Sequence, residues 1–279
     1  MSHLIVGCGY LGRRVASRWL EQGQHVVALT RGRSDELRGA GIEPIVGDVL
    51  DPASLLRLPR ASTLLYAVGL DRSSGKSFRD VCIGGLSNVL DHVPMPERFI
   101  YISSTSVYGQ SNGEEVDETS SAEPVEENGA IIREAERMLE RRAPGAVVLR
   151  FAGIYGPGRI IRRAAIEKGE PLIGNADKWL NLIHVEDGAR AILAAEQNGK
   201  AGETYLVADG QPVQRRDFYT FMAEWLAAPP ARFEPLPEGM PSPPHERGNR
   251  RISNRRMIEE LGVELKFADY RSGLRAAIQ

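Results

Sequence analysis

The sequence predicts an α/β fold, a doubly wound parallel sheet with a small, partly discontinuous C-terminal lobe. Two observations support this prediction. Short apolar runs alternate with helical patterns over residues 1–155, and right-handed crossovers between parallel strands place such helices on the faces of a sheet. A glycine-rich turn over residues 7–12 (GCGYLG) also joins the first apolar run to the first helical pattern.

Residues 1–155 alternate regularly between the two patterns. The short apolar runs predict strands over 4–6, 25–30, 42–46, 62–70, 99–104 and 146–154. The amphipathic stretches between them predict helices over 12–22, 35–40, 52–58, 78–92 and 131–142. Asp51 and Pro52 are the residue types expected at a helix N-cap and first turn. The acidic stretch 114–127 is predicted to be a solvated loop.

The pattern changes after Tyr155. It predicts helices over 160–167, 186–196, 214–227, 254–261 and 270–278, and strands over 180–185 and 203–207. Residues 171–179 are predicted to form a loop, and the proline-rich stretch 228–248 an extended wrapping segment. We therefore predict a first domain over 1–155, to which 180–210 return, and a second lobe mainly within 156–279, built from 156–179 and 211–279.

Composition excludes several classes of protein. A formal net charge of −2 shows no basic bias, so nucleic acid is not an expected partner. No apolar run approaches about eighteen residues and no signal-peptide pattern follows Met1, which predicts a cytoplasmic protein without a membrane partner. The two cysteines predict no disulfide framework. The five scattered histidines lack ligand spacing, so no metal is expected.

The glycine turn predicts a dinucleotide site of the Rossmann type. In a strand–turn–helix setting, Gly7 permits the tight turn, Gly9 lets backbone approach a pyrophosphate, and Gly12 lets the helix pack close to the strand. The N-terminus of the following helix presents free N–H groups and a partial positive charge to the phosphates. Tyr10 and Leu11, inside the turn, are included among the predicted cofactor contacts.

The end of the second predicted strand bears on the choice of cofactor. Ligands of an open parallel sheet bind beyond the carboxyl ends of its strands, and an NAD site usually has an acidic residue at this position. Here the strand ends at Thr30 and Arg31, with Arg33 close by. Because guanidinium groups bind phosphate through paired, charge-assisted hydrogen bonds, we predict NADP in preference to NAD.

Two further strand ends extend the predicted cofactor site. Asp48, followed by Val49, is placed either to accept a hydrogen bond from the adenine amino group or to cap the next turn. Ala67, Val68 and Gly69 end the fourth predicted strand with the small residues needed where backbone passes beside a cofactor.

Several segments resemble one family. They are GCGYLG, SSTSVYG over 103–109, YGPGR over 155–159, NLIHVED over 181–187 and the late stretch RISNRRMIEELG. In their order and spacing they resemble the extended short-chain dehydrogenase/reductase group, which contains NAD(P)-dependent nucleotide-sugar epimerases, dehydratases and reductases. The resemblance covers most of the chain. It implies a nicotinamide cofactor and a small-molecule substrate, with a sugar nucleotide as one candidate.

The resemblance also implies catalytic groups that this sequence has only in part. In the family, a Ser or Thr after the fifth strand positions a substrate oxygen, and a Tyr on the next helix transfers the proton. A Lys four residues later lowers the pKa of that tyrosine. Ser104 occupies the serine position, but Asn128 and Ile132 occupy the other two. None of the eight tyrosines has a lysine four residues later.

Three interpretations of this site stay open. The protein is an enzyme with displaced acid/base groups, a non-catalytic NADP(H)-binding sensor or regulator, or a scaffold with a disused pocket. For the enzyme, Ser104 and Tyr108 are the candidate catalytic residues, although the tyrosine of a Val-Tyr-Gly segment is usually a packing residue. Ser106, Arg159 and Trp179 are the candidate substrate contacts.

Three other residues have open or structural roles. Arg150 suits either a substrate anion or a structural ion pair, whereas His184 and Asp187 are expected to brace their loop. The oligomeric state is open, with a dimer as one alternative.

Overall fold

The structure is a computed structural model that describes residues 2–237, 239 and 248–278. Its strands, in chain order, are β1 (Ser2–Val6), β2 (Val26–Thr30), β3 (Glu43–Val46), β4 (Ala61–Tyr66), β5 (Arg98–Ser104), β6 (Glu114–Val116), β7 (Val147–Phe151), β8 (Gly153–Tyr155), β9 (Leu172–Ile173), β10 (Trp179–Leu180), β11 (Leu182–His184), β12 (Thr204–Val207), β13 (Val213–Gln214), β14 (Phe233–Glu234) and β15 (Arg250–Ile252).

The helices connect these strands. They are α1 (Tyr10–Glu21), α2 (Ser34–Gly39), α3 (Pro52–Leu55), α4 (Gly85–His92), α5 (Glu127–Arg142), α6 (Arg163–Glu167), α7 (Val185–Asn198), α8 (Arg215–Trp225), α9 (Arg255–Glu259) and α10 (Tyr270–Ala277). Short 3₁₀ turns cover Arg72–Ser74 and Thr105–Val107, and a π-helical turn over Asp80–Gly84 leads directly into α4.

Seven strands form one parallel sheet in the order β3-β2-β1-β4-β5-β7-β12. The order reverses between β1 and β4, so the chain winds outwards in both directions from β1. The predicted Rossmann-type, doubly wound sheet is therefore confirmed. Because the connections after β1 and β4 run to opposite faces, they leave a crevice at the carboxyl ends of these strands, where ligands of this fold class bind.

Helices cover both faces of the sheet. On one face α1 and α7 pack against the strands, with Trp19 and Ile192 fully buried. On the other face α3, α4 and α5 pack through side chains such as Leu86 and Leu139. Since both faces are buried, the central strands are near-continuous apolar runs rather than alternating ones, which is why the sequence predicts most of them.

The remaining short strands form two-stranded pairs outside the central sheet, and several of them border a further apolar core. β9 pairs with β14 and β10 with β13, and α6, α8 and α10 surround a core that includes Tyr155, Phe218, Met222 and Leu274. β12 returns to the edge of the central sheet beside β7. The division into a first domain and a discontinuous second lobe stays a prediction.

The predicted strand over 146–154 is wrong in its second half. β7 ends at Phe151, and Ala152 still donates its N–H to Val207 of β12. The next residue, Gly153, donates instead to the carbonyl of Asn181, and β8 pairs with β11. The chain therefore leaves the central sheet at Ala152, because its next backbone partners lie on a different strand.

The acidic stretch 114–127 is a loop, as predicted, only over its middle part, residues 117–126. Its first residues form β6, which pairs in parallel with β15 from the far end of the chain, and α5 already begins at Glu127. The predicted loop over 171–179 contains β9. Of the proline-rich segment, 238 and 240–247 lie outside the described residues, and β14 is a short strand within the rest.

A buried ion pair joins α5 to the central sheet. Glu136 and Arg150 are 1% and 6% exposed, and hydrogen bonds of 2.8 and 2.7 Å join the guanidinium to both carboxylate oxygens. Ser103 donates to the same carboxylate at 2.6 Å, and Arg150 also donates to the Tyr108 hydroxyl at 2.7 Å. Of its two expected roles, Arg150 therefore has the structural one.

A second buried group of side chains joins α7 to the C-terminal segment. The Asp187 carboxylate accepts the backbone N–H groups of Lys266 and Phe267, both at 2.8 Å. His184 accepts the N–H of Glu186 on its Nδ1 at 3.2 Å and so caps α7. Burial lowers the pKa of His184 to about 4, so its ring is neutral at pH 7. This is the bracing role expected of the two residues.

Asp209 lies beside this group, just beyond β12. It is 4% exposed, and its Oδ1 accepts the N–H of Gln211 at 3.0 Å. Its Oδ2 has no hydrogen-bond partner in the part of the chain that the structure describes. Burial raises the pKa of Asp209 to about 7, and the nearby charges of Asp269 and Asp187 add to the shift.

Replacing Arg150 by Met is expected to lower the free energy of unfolding by up to about 3–5 kcal/mol, because Glu136 would stay buried with only the less buried Arg133, 3.1 Å away, as its counter-ion. Urea denaturation followed by circular dichroism measures the loss. Arg79→Met is the matched control, since Arg79 and Glu134 form an exposed pair on the neighbouring surface. Equal losses in the two variants would contradict the assignment of the buried pair.

Asp209→Asn is expected to change how stability depends on pH. Between about pH 4 and pH 7 the unfolded carboxyl has lost its proton whereas the folded one retains it, so rising pH favours unfolding of the wild type. The amide does not titrate. The difference in unfolding free energy, variant minus wild type, should therefore grow from pH 4 to 7 and then level off.

Denaturation curves at a series of pH values test this expectation. Asp217→Asn, in an exposed position of α8, controls for the change in net charge. If the wild-type and Asp209→Asn profiles run parallel from pH 4 to 8, the raised pKa of Asp209 is wrong.

Candidate functional site

The glycine turn lies between β1 and α1, at the crevice. Gly7 has φ +100°, and a Cβ there would lie 2.5 Å from the backbone of Ala67 at the end of β4. A Cβ on Gly12 would lie 2.8 Å from the Gly7 carbonyl oxygen. At Gly9 a Cβ would meet nothing within 4 Å. Gly7 and Gly12 are thus required by packing, whereas Gly9 borders open space at the N-terminus of α1, as a pyrophosphate contact requires.

Two other residues of the turn have defined positions. The Tyr10 hydroxyl donates to the Pro157 carbonyl at 3.1 Å, and the Arg159 guanidinium lies 5.6 Å from the centre of the Tyr10 ring. Leu11 is buried against the α1–α7 face of the sheet. Tyr10 therefore joins the glycine turn to the YGPGR segment and places the exposed Arg159 at the mouth of the crevice.

The loop after β2 is held by local hydrogen bonds. Thr30 Oγ1 accepts the N–H of Arg33 at 3.2 Å, and Arg33 immediately precedes α2. The exposed Arg31 donates to the Asp71 carboxylate at 2.8 Å. Asp71 follows β4, so this ion pair bridges the loops on the two sides of β1. The sequence did not single out Asp71, because an ion pair between two exposed loops leaves no local pattern.

The other predicted cofactor positions also lie at strand ends. Asp48 Oδ1 accepts the N–H of Leu50 at 2.9 Å, which favours the turn-capping role that was one of its two expected roles. Val49 is buried, and its side chain limits the space at Gly85 of α4. Ala67 contacts the glycine turn, Val68 packs against the α4–α5 face, and Gly69 is exposed.

Ser104 ends β5, two strands away from β1 in the sheet. Its Oγ accepts the N–H of Ser106 at 3.1 Å and caps the short 3₁₀ turn. An oxygen that accepts through a lone pair still has its proton to donate. Within the described residues neither the Ser104 proton nor the Ser106 hydroxyl has a partner. Both side chains are half-buried, so they remain accessible to a ligand.

Tyr108 is less accessible. It is buried, its hydroxyl donates to the Asp117 carbonyl at 3.0 Å, and it accepts from Arg150. Burial raises its pKa. These contacts favour the packing role over the catalytic one.

α5 approaches the same turn without providing an acid or a base. A Cβ on Gly129 would lie 2.3 Å from the Ser106 carbonyl oxygen, so the helix touches the turn directly. Asn128 is exposed, and Ile132 packs on an apolar cluster that includes Val107 and Tyr108. The lysine position of the family is therefore filled by a side chain that contributes to packing.

Trp179, at the start of β10, is half-buried. Its backbone N–H donates to the Oδ1 atom of Asn249 at 3.0 Å. Its indole Nε1 would lie 3.4 Å from a Cβ on Gly113. No hydrogen bond within 2–237 and 248–278 joins Trp179 or Arg159 to Ser104. The structure thus places the candidate substrate residues at separate points around the end of β5.

Arg250 is the site residue that sequence analysis missed. It lies on β15, and its Nη2 donates to the Thr105 carbonyl at 2.8 Å, directly after Ser104. Asn181, from the NLIHVED segment, holds the strand in place: its amide donates to the Arg250 carbonyl at 2.9 Å and accepts from Ile252 at 2.7 Å. A three-residue strand has no periodicity, so only the RISN segment marked this region.

The C-terminal lobe also has an open cavity of about 400 Å³ between the ends of β9 and β14. The cavity is lined by Gly174, Asn175, Lys178, Phe233, Glu234, Pro235 and Leu236. Its loop over 174–178 leads directly to Trp179, which pairs with Gln214 of β13.

Two further features, a cluster of metal ligands and a membrane-spanning helix, concern the described part of the chain. No three His, Cys, Asp or Glu side chains there are arranged to hold a metal ion. No helix there has the length and apolar character needed to cross a membrane.

Comparison with known proteins identifies relatives over the whole length of the chain. Protein YeeZ of Escherichia coli K12 is 32% identical, covering 95% of this chain and 96% of that protein. The solved structure of a putative NAD-dependent epimerase/dehydratase from Methylobacillus flagellatus has a TM-score of 0.80 and 30% identity, covering 99% and 97% of the two chains.

A more distant structure shares the fold. UDP-glucuronic acid 4-epimerase from Bacillus cereus, solved with UDP-glucuronic acid and NAD, has a TM-score of 0.80 at 19% identity, covering 99% of this chain and 98% of that one. The sequence model of the NAD dependent epimerase/dehydratase family matches residues 3–208. The resemblance inferred from the motifs is confirmed, and its coarse functional implication is an NAD(P)-binding oxidoreductase or epimerase. The chain belongs to the NAD dependent epimerase/dehydratase family.

Proposed function

We propose that the protein is an NADP(H)-dependent oxidoreductase or epimerase that acts on a small carbonyl compound or a sugar nucleotide, without an acid/base pair from α5. The observation that supports this most directly is the Ser104 hydroxyl, whose proton has no hydrogen-bond acceptor within the described residues. Two strand spacings of about 4.8 Å separate β5 from β1, so Ser104 lies roughly 10 Å across the sheet from the glycine turn. The ribose and nicotinamide of a dinucleotide can span that distance.

The residues around Ser104 suit a polarising role. A bound nicotinamide would supply or accept the hydride. The N–H of Ser106 occupies a lone pair of the Ser104 oxygen, which leaves the hydroxyl proton to donate to a substrate oxygen. A fixed donor of this kind stabilises negative charge that develops on that oxygen. Ser104 is therefore proposed as a catalytic hydrogen-bond donor, and Tyr108 is not.

The loop after β2 supports the proposed preference for NADP. Arg31 and Arg33 are exposed beside the crevice, where the 2′-phosphate of an adenosine ribose would lie. The Asp71 carboxylate already holds Arg31 in an extended position across this edge. A bound phosphate would share or take over that guanidinium.

A second candidate function is a non-catalytic NADP(H) sensor or regulator. The observation that favours it is α5 itself, since Ile132 fills the lysine position with apolar packing and Asn128 faces solvent. The sensor needs the glycine turn but not Ser104, and this difference separates the two functions. The third interpretation, a scaffold, predicts that no nicotinamide cofactor binds.

Ser104→Ala is expected to lower turnover by about 10²–10³-fold without weakening NADPH binding, because it removes a donor used mainly in the transition state. Consumption of NADPH with a panel of small ketones measures reductase turnover, formation of NADPH or of the epimer from UDP-glucose and NADP⁺ measures turnover of the sugar nucleotide, and calorimetry measures binding. Gly9→Val is the matched variant. It should abolish binding and leave the fold intact, since its Cβ enters open space.

The outcomes separate the alternatives. Turnover that survives in Ser104→Ala removes Ser104 from the mechanism. Tight NADPH binding with no turnover by the wild type on the whole panel favours the sensor, and absence of binding favours the scaffold.

Arg31→Ala is expected to weaken NADPH binding by about tenfold or more and to leave NADH binding unchanged, because it removes a charge-assisted contact to the 2′-phosphate alone. Calorimetric titration with both cofactors measures the two affinities. Arg38→Ala, an exposed arginine of α2 paired with Asp35, controls for the lost charge. Equal wild-type affinities for NADPH and NADH would contradict the preference.

A further inference from the structure

We propose that Arg250 is the anion-binding residue of the substrate site and that the substrate has an oxyanion, a carboxylate or a phosphate, close to Ser104. The proposal deepens the function proposed above and rests on it for the location of the site. Arg250 reaches this location from the C-terminal lobe, whereas Ser104 belongs to the central sheet.

The position of Arg250 is firmly held. β15 pairs with β6, and Asn181 bonds to the backbone on both sides of Arg251. Arg250 Nη2 donates to the Thr105 carbonyl, and Nη1 lies so close to Gly248 that a Cβ there would be 2.5 Å from it. A pre-positioned guanidinium loses little conformational entropy when it binds a ligand.

Within the part of the chain that the structure describes, no acidic side chain neutralises the charge of Arg250. Among residues 2–237, 239 and 248–278, no carboxylate lies within ion-pair distance of it, whereas Arg150 has Glu136 and Arg256 has both Glu203 and Glu260. Burial accordingly lowers the pKa of Arg250. A half-buried guanidinium without a counter-ion destabilises the folded protein, and an arriving anion would remove that cost.

Donors remain free for such an anion. Within the described residues, only Nη2 of Arg250 has a hydrogen-bond partner. Nε and Nη1 are not among the fully buried atoms that lack a partner, so solvent can reach them. The Ser106 hydroxyl is unpaired one residue beyond Thr105. On the other side, Asn249 accepts the backbone N–H of Trp179, whose ring lies 5.8 Å from the guanidinium of the neighbouring Arg251. A guanidinium, hydroxyls and an aromatic ring are the groups that would bind a small anionic substrate.

The competing explanation is that Arg250 has a structural role only, in which its hydrogen bond to Thr105 holds β15 against the turn after β5. Stability distinguishes the two roles. A structural hydrogen bond stabilises the fold, so its loss lowers the melting temperature. An unpaired cation kept for a ligand costs stability, so Arg250→Met should melt at or above the wild-type temperature in buffer without oxyanions. Arg255→Met is the matched control, because Arg255 is an exposed arginine at the start of α9, shortly after β15 in the chain.

Thermal melting and calorimetry with defined anions test the proposal. Inorganic phosphate or UDP-glucuronic acid, added at constant ionic strength, should raise the melting temperature of the wild type and of Arg255→Met. Affinity should fall about tenfold or more in Arg250→Met. An Arg250-dependent preference for UDP-glucuronic acid over UDP-glucose identifies a carboxylate, and equal Arg250-dependent binding of both identifies a phosphate.

The proposal is overturned if Arg250→Met lowers the melting temperature and retains the wild-type response to anions, or if no anion binds the wild type. Gly9→Val separates this result from the cofactor proposal. It should retain the Arg250-dependent response to anions although NADPH no longer binds, because the glycine turn and Arg250 belong to different sites.

Discussion

The buried ion pair between Glu136 and Arg150 is the interaction on which the site depends. Two charges that are almost wholly removed from water are tolerated because two hydrogen bonds join them and because Ser103 and Arg133 also donate to the Glu136 carboxylate. Their relative position is therefore tightly defined. Through Ser103 and Tyr108 the pair also holds the end of β5 and the turn after it. The Ser104 hydroxyl is therefore presented to the crevice from a rigid support.

This support explains how α5 can keep its place without catalytic residues. The helix still provides Glu136 to the ion pair, and Gly129 still allows it to touch the turn after β5. At Ile132 it contributes apolar packing instead of a charge. Positive charge reaches the turn on Arg250 of β15, which comes from near the C-terminal end of the chain.

The parts of the fold that the sequence predicts are those in which neighbours in sequence are also neighbours in space. The strand–turn–helix unit around the glycine turn is predicted because each glycine has a local reason. The residues that pair with the predicted ones are harder to identify from the sequence. Arg31 stood out at a strand end, but Asp71 did not, since their ion pair joins two loops that only the sheet brings together. Tyr108 left two roles open until its hydroxyl partners were known.

The sequence by itself determined the doubly wound sheet, the glycine turn and the absence of a tyrosine–lysine pair, because periodicity and residue identity are local properties. Tertiary structure alone decided that the chain leaves the central sheet at Ala152 and that β6 pairs with β15. Pairing between short strands that are distant in sequence depends on how the intervening chain folds. A strand of three residues is too short for a periodic pattern that would predict it. For the same reason Arg250 entered the site only once the two lobes were assembled.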